Sequence, residues 1–559
     1  MFIPATREEM ERRGWDSLDV VIVSGDAYID SPYNGAAIIG HWLIDHGFRV
    51  GLIPQPSLDS GGDVLSLGVP ELFWSVTAGS VDSMVANYSP MRKFRKEDDF
   101  TPGGRNDRRP DRATIAYTNL IKRHSKGKPI VLGGVEASLR RVAHYDYWSD
   151  SVRRSVLFDA KADAITYGMG ELSNLELARR MRDGQPWDGT DGVCVIGKSV
   201  PDGYLEMPSF EECRDSKESF MDAFETFHEN CDPAYAKGLA QRHGDRYLIQ
   251  NRPSRRLTTG ELDAVHSLDY EYAVHPVSAR LGHVRAMDTI RNSVTTHRGC
   301  YGGCSFCAVH AMQGRDVVSR SQGSIVAEVA RMASAKGFDG VVRDVGGPTA
   351  NMYGTYCNVG GCDGGRCLFP EPCPNLVLDH APSMALLEAV RSVNGVRKAF
   401  VASGVRHDMV LADGENGEAY LRALCGHHIS GQMKVAPEHV SKKVLDLMGK
   451  PGVGKLTEFK GMFDRINSDV GKRQFLTYYF MVAHPGCGDR EAGEISRYCS
   501  DVLGIRPEQT QVFTPTPSTA STAMYHTGME PFTRKPVAVE KSNKGKHSKK
   551  AKVVGGRGK

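Results

Sequence analysis

His297-Arg-Gly-Cys300-Tyr-Gly-Gly-Cys304-Ser-Phe-Cys307 places three thiols within seven residues of one another, with glycines between them that let the backbone turn tightly around whatever the sulfurs hold. The spacing is C-x3-C-x2-C. A cubane has four irons, so a three-cysteine set leaves one iron open to a further ligand, whereas four-cysteine electron carriers close every position. Cys300, Cys304, Cys307 and His310 also make up a Cys3His set of the kind that binds zinc tetrahedrally. Both readings predict a metal centre here.

Outward from this loop the chain alternates β-rich runs with amphipathic helical patterns, the signature of parallel α/β architecture. Strands are predicted at Ser293 to Thr296, Gly340 to Asp344, Lys398 to Ser403, Gln432 to Val435, Leu476 to Ala483 and Gln511 to Thr514. Six such units predict a partial (β/α)6 barrel over residues 286–530. In parallel β/α folds the chemistry lies at the carboxyl ends of the strands. There the sequence puts the cysteine loop, Gly346-Gly347-Pro348, Arg406, Pro437-Glu438-His439 and His484-Pro485-Gly486.

Toward the amino terminus a second α/β region opens with Asp19-Val-Val-Ile-Val-Ser24 and continues through Phe48 to Ile53, Leu72 to Thr77, Pro129 to Leu132 and Ala162 to Tyr167. These predict a Rossmann-like open sheet over residues 1–190. The charged stretch MRKFRKEDDFTPGGRNDRRPDR, residues 91–112, is expected to be a long surface loop. Residues 191–285 are mixed, with helical patterns around Ser216 to Phe227 and Ala234 to Arg242. Residues 531–559 form a basic tail, ten Lys/Arg from Arg534 onward against Glu540 alone, and are expected to be disordered. A basic tail can attract RNA phosphates, although this one offers no aromatic residue for base stacking.

With 559 residues, 40% hydrophobic and 25% charged, the chain matches ordinary globular composition and exceeds what one core can serve. No apolar run approaches membrane-span length, and the charged opening MFIPATREEMERRGWDS lacks a signal-peptide core. A cytoplasmic location is expected. Thirteen cysteines in such a compartment point to metal binding more than to disulfides. A second set, Cys357, Cys362, Cys367 and Cys373, is a further candidate metal site, suited to an auxiliary iron–sulfur cluster or to zinc.

The cysteine loop resembles the radical S-adenosylmethionine (SAM) superfamily motif, with Phe306 in its aromatic position. That resemblance implies a [4Fe–4S] cluster on Cys300, Cys304 and Cys307, SAM on the open iron, and reductive cleavage to a 5′-deoxyadenosyl radical. It also implies an electron donor such as flavodoxin or ferredoxin. Gly346-Gly347 resembles the Gly-Gly-Glu motif that contacts the amino group of SAM, with Pro348 replacing the acid. Arg406 and Glu438 are the positions implied to hold the anionic and hydroxyl groups of the cofactor, by analogy with methylthiotransferase-type relatives.

Asp30-Ser-Pro32-Tyr-Asn-Gly35 resembles the D-x-H-x-x-G signature of cobalamin-binding domains, but Pro32 stands where the axial histidine would be. A cobalamin-binding-like fold is implied, without histidine-on cobalamin. With Gly133 to Arg141, His144-Tyr-Asp-Tyr-Trp148 and Gly346 to Tyr353, the chain resembles the YgiQ-type radical SAM family over most of residues 1–530. Arg140, Arg141, His144, Tyr145, Tyr147 and Trp148 are candidates to line a substrate site or to form a buried interface. The alternatives are methyl or methylthio transfer on the same scaffold, and a zinc-stabilised nucleic-acid-binding protein without catalysis.

Overall fold

A computed structural model describes residues 1–360, 362, 366–507 and 510–555. The chain divides into two compact units: residues 1–257 with 264–291, and residues 258–263 with 292 onward. Among the described residues no helix is long and apolar enough to cross a membrane.

The first unit is built on a nine-stranded sheet. Val20–Ser24 pairs in parallel with Val50–Pro54 on one side and Phe73–Thr77 on the other, and Ile130–Gly133 and Ala164–Thr166 follow in parallel. These five strands therefore lie in the order 2-1-3-4-5, the doubly wound arrangement with its switch point between Val20–Ser24 and Phe73–Thr77. The period of two explains the all-apolar strands. Val20 and Ile22 enter the core under helix Gly35–Asp45, while Val21 and Val23 enter the core shared with Tyr117 and Leu120 of helix Ala113–His124.

Val193–Gly197, Arg246–Gln250, Leu239–His243 and Leu205–Met207 extend the same sheet. The segment that reads as mixed from sequence thus contributes four strands. The helix at Ser216 to Phe227 is present as Lys217–Glu229, but the pattern at Ala234 to Arg242 gives strand Leu239–His243, because Leu239, Gln241 and His243 face inward at alternating positions. His243 is stacked between Phe158 and Phe210.

The expectation of a surface loop at residues 91–112 needs correction. Asp98, Thr101, Asn106 and Arg109 are buried. The Arg109 guanidinium donates to Asp26 (2.8 Å), to Asp98 (3.1 Å) and to the carbonyl of Ala78 (2.5 Å), so the loop folds over the carboxyl ends of the two switch-point strands. A fully buried cation with two carboxylates is costly to break. Arg109→Ala is expected to destabilise this unit by about 3–5 kcal/mol, read as a lowered urea midpoint.

Burial holds His144 down at about 4, with Arg140 adding to it, and holds His243 at about 3, with Arg154 adding. Both are neutral when folded, and below pH 6.5 the unfolded chain binds their protons more readily. Their stabilising contribution is complete above pH 6.5 and is lost as pH falls toward 4. Each group costs about 1.4 kcal/mol per pH unit across that window. Denaturant midpoints should therefore drop steeply between pH 6.5 and 4, and less steeply once both histidines are replaced by Phe.

In the second unit six strands pair in parallel in chain order. Ser293–Thr295 pairs with Asp344–Gly346, and Val341–Val342 with Lys398–Ala399. Val405 bridges Val435, Gln432–Glu438 pairs with Phe475–Val482, and Met481 and Val482 pair with Gln511 and Val512. This is the pairing order that a partial barrel requires.

The tail is a second correction. Asn543–Val554 is a helix capped by Ser542, packed on helix Asp489–Asp501. Lys546 donates to the Tyr525 hydroxyl (2.9 Å), Lys549 to Glu540 (2.8 Å), and Lys552 pairs with Asp489 (3.0 Å). Lysine stems cover apolar surface while their heads find partners, so a segment of disordered composition folds here.

Candidate active site

The cysteine loop starts where the first barrel strand ends, and short pairing of His297–Arg298 with Val318–Ser319 fixes its base. Gly299 has φ +86°, and a Cβ there would lie 1.9 Å from the carbonyl oxygen of Asp316. No side chain fits. Gly302 lies between sulfurs: a Cβ would meet Cys300 Sγ at 3.2 Å, Cys304 Sγ at 3.6 Å and Arg406 Nη1 at 2.8 Å. Its N–H donates to Cys300 Sγ (3.4 Å). Cys300 Sγ also lies 3.5 Å from the Thr349 hydroxyl at the end of the second strand.

Burial pushes the Cys307 thiol up to about 12, and Cys304 and Cys300 push in the same direction. At Cys307, burial and its two neighbouring sulfurs thus oppose the thiolate, the form a cationic centre would favour. Among the described residues no three His, Cys, Asp or Glu side chains gather closely enough for a single metal ion. A cubane instead spreads its cysteine sulfurs over separate corners. The donor set and the glycine cradle fit such a cluster.

Arg406 is held from both ends. Asn351, fully buried, accepts from its backbone N–H (2.8 Å) and donates to its carbonyl (3.1 Å). The guanidinium spends Nε and Nη2 on Asp408 (3.0 and 2.5 Å) and turns Nη1 to Cys304 Sγ, 3.8 Å away. Burial would lower Arg406, but Asp408 and the two sulfurs raise it overall, and Asp408 is correspondingly held well below the usual carboxylate range despite burial. Arg406, expected from sequence to hold the anionic end of a cofactor, lies as an ion-paired charge against the cysteine loop. Asn351 is braced in turn by His380 (3.1 Å), whose Nδ1 lies 2.7 Å from Asp413. Nothing in local sequence pattern marks this relay, since its members lie on three separate loops.

Gly346 and Gly347 lie beside the loop. A Cβ on Gly346 would meet Ser403 Oγ at 2.7 Å, and one on Gly347 would meet the His297 ring at 2.5 Å, so both are packed down to the backbone. Glu438, Ala483 and Ser518, in the next three strand-end loops, all have positive φ (67°, 60° and 64°). Left-handed non-glycine residues cost about 1–2 kcal/mol each and cluster where a site over-determines the backbone. Burial raises the Glu438 carboxyl while Lys450 opposes it. Phe306 meets the edge of His484 (6.3 Å), and His484 Nε2 is 2.6 Å from the Ser521 hydroxyl. Ser521 N–H also donates to the Ser305 carbonyl (2.9 Å), which ties the cysteine loop to the carboxyl-terminal segment.

The second cysteine set adjoins the first. Tyr301, Met352, Leu368, Leu376 and Met409 form one buried cluster, against which Cys300, Cys357, Cys367 and Cys373 all pack. Cys362 is exposed, and its neighbours 361 and 363–365 lie outside the described residues.

Residues 2–293 match the radical SAM N-terminal family, and residues 508–553 match a domain of unknown function, DUF3362. The UPF0313 protein of Fusobacterium nucleatum is 50% identical over 99% of this chain and 98% of its own. The chain belongs to the UPF0313 family. It is thereby a YgiQ-type member of the radical SAM superfamily. UPF0313 proteins of Geobacter sulfurreducens (48% identical, 99% of this chain and 92% of that one) and Thermotoga petrophila (46%, 99% and 98%) match at similar length. Among solved structures, the radical SAM methyltransferase TsrM from Kitasatospora setae, with cobalamin and a [4Fe–4S] cluster bound, is 14% identical over 89% of this chain and 75% of that one, with a TM-score of 0.48. The cobalamin-dependent radical SAM enzyme OxsB is 9% identical over 85% and 50%, with a TM-score of 0.48.

In the N-terminal unit of this UPF0313 protein, the stretch resembling the cobalamin-binding signature is engaged within the fold. Pro32 supplies no ligand, and the Asp30 carboxylate, fully buried, is occupied by His41 (2.7 Å), the Tyr28 hydroxyl (3.3 Å) and the Glu271 N–H (2.9 Å). The polar and aromatic residues after Leu139 are also engaged internally. Arg140 pairs with Asp82, and Arg141 donates to Gln250 (2.8 Å) under the rings of Tyr167 and Phe227. The Tyr147 hydroxyl donates to the Pro90 carbonyl (2.5 Å). The polar groups of Arg140, Arg141 and Tyr147 thus find partners within this unit.

Proposed function

We propose that this protein is a radical SAM enzyme in which Cys300, Cys304 and Cys307 hold a [4Fe–4S] cluster and SAM occupies its open iron. The observation that carries this reading is Gly302, whose missing side chain lets two cysteine sulfurs and the Arg406 guanidinium meet at one point. Held on these three cysteines, the cluster would supply one-electron reductive cleavage of the sulfonium C–S bond of SAM, the chemistry that yields methionine and 5′-deoxyadenosine.

The chain's own residues bind and orient. Arg406, fixed by Asp408 and Asn351, sets a permanent positive charge beside Cys304 Sγ. The bare backbone of Gly346 and Gly347 receives the amino group of SAM, Glu438 receives hydroxyls, and Phe306 with His484 walls off water. A small electron-transfer protein of the flavodoxin or ferredoxin class supplies the electron. The test is product analysis: reconstituted protein with dithionite and SAM is expected to yield 5′-deoxyadenosine and methionine in equal amounts. S-adenosylhomocysteine as the sole product would reject the reading.

A further inference from the structure

The described residues between Cys357 and Leu376 have little apolar reason to hold together. Among the described residues of this stretch only Leu368 is a buried apolar side chain, and the rest is largely glycine, proline and polar groups. Segments that cannot build a core are usually held by disulfides or metals. No disulfide is present; all these cysteines are free thiols.

Backbone geometry nevertheless gathers three of them. Cys357 pairs with Leu376 in a short ladder, Cys373 N–H donates to the Cys367 carbonyl (2.8 Å), and Leu376 N–H donates to the Cys373 carbonyl (3.0 Å). Cys357, Cys367 and Cys373 thereby rest on the same buried cluster, beside Tyr301 and Cys300. The spacing C-x4-C-x4-C-x5-C brings a fourth thiol, Cys362, on the same segment. As at the first loop, among the described residues the side chains are not gathered tightly enough for a single ion.

We propose that Cys357, Cys362, Cys367 and Cys373 hold a second iron–sulfur cluster, with Tyr301 packed against both thiol sets. Four thiolates close every iron of a cubane, so this centre has no position for SAM. It is distinct in ligands and in coordination from the one on Cys300, Cys304 and Cys307.

The full chain, purified and reconstituted without oxygen, is expected to carry about eight irons and eight sulfides, four of each per cubane. The Cys357→Ala/Cys367→Ala/Cys373→Ala variant should retain about half of each, and its reduced spectrum should still respond to SAM. The exposed Cys362→Ser, which does not disturb the packed cluster, should also lower the iron count or alter the second signal. About four irons in the wild type, all kept by the triple variant, would overturn the proposal. So would one zinc per chain that the variant loses, or a disulfide among these cysteines in the anaerobic protein. Replacing Cys300, Cys304 and Cys307 keeps the two readings separate: if that variant loses no iron, the ligand assignment of the first site fails, whatever the second holds.

Discussion

Replacing Cys300, Cys304 and Cys307 together with Ala is expected to abolish SAM cleavage, taking 5′-deoxyadenosine below detection while the chain remains folded. The three sulfurs sit in a loop whose base is fixed by the pairing of His297–Arg298 with Val318–Ser319; all three cysteines are half-buried, and of them Cys300 alone packs at the edge of the Tyr301 cluster. Removing them deletes ligands and little packing. Circular dichroism and melting of the variant should therefore match those of the apo wild type, and its absorbance near the cluster band should be lost. Cleavage by the triple variant would show that the electron enters SAM elsewhere.

Gly299→Ala is expected to be nearly as damaging, for a geometric reason. The backbone there is left-handed, and the added methyl would stand 1.9 Å from the Asp316 carbonyl and 3.2 Å from Val317 Cα. Neither neighbour can yield without breaking the pairing that anchors the loop. The strain and overpacking amount to about 3 kcal/mol or more, which is a hundredfold or greater loss in the population of the loop that can bind a cluster. Iron content after reconstitution and desalting reads this directly. Gly303→Ala, also left-handed but open apart from the Arg366 stem at 3.6 Å, should cost only about 1 kcal/mol. Equal losses at the two positions would mean that contact with Asp316 is not what matters.

Much of this arrangement is legible in the sequence because it rests on local pattern. The five parallel strands of the first unit and the six of the second follow from apolar runs of β-branched residues, and the thiol loop from its spacing. What escaped is held by long-range polar contacts. Arg109 lies in a stretch whose composition reads as solvated, yet Asp26 and Asp98 draw it under the surface. The carboxyl-terminal helix has the composition of a disordered segment until Tyr525, Glu540 and Asp489 receive its lysines. Asp408, two residues beyond Arg406, was available to the eye, but only the fold shows that it captures the guanidinium and turns one nitrogen to Cys304.

Electron paramagnetic resonance of anaerobically reconstituted, dithionite-reduced protein, recorded without and with SAM, bears most directly on the central claim. A cluster held by three cysteines with one iron open would give a spin-½ signal whose g values shift when SAM is added. A signal that ignores SAM, or no paramagnetic centre at all, would contradict it.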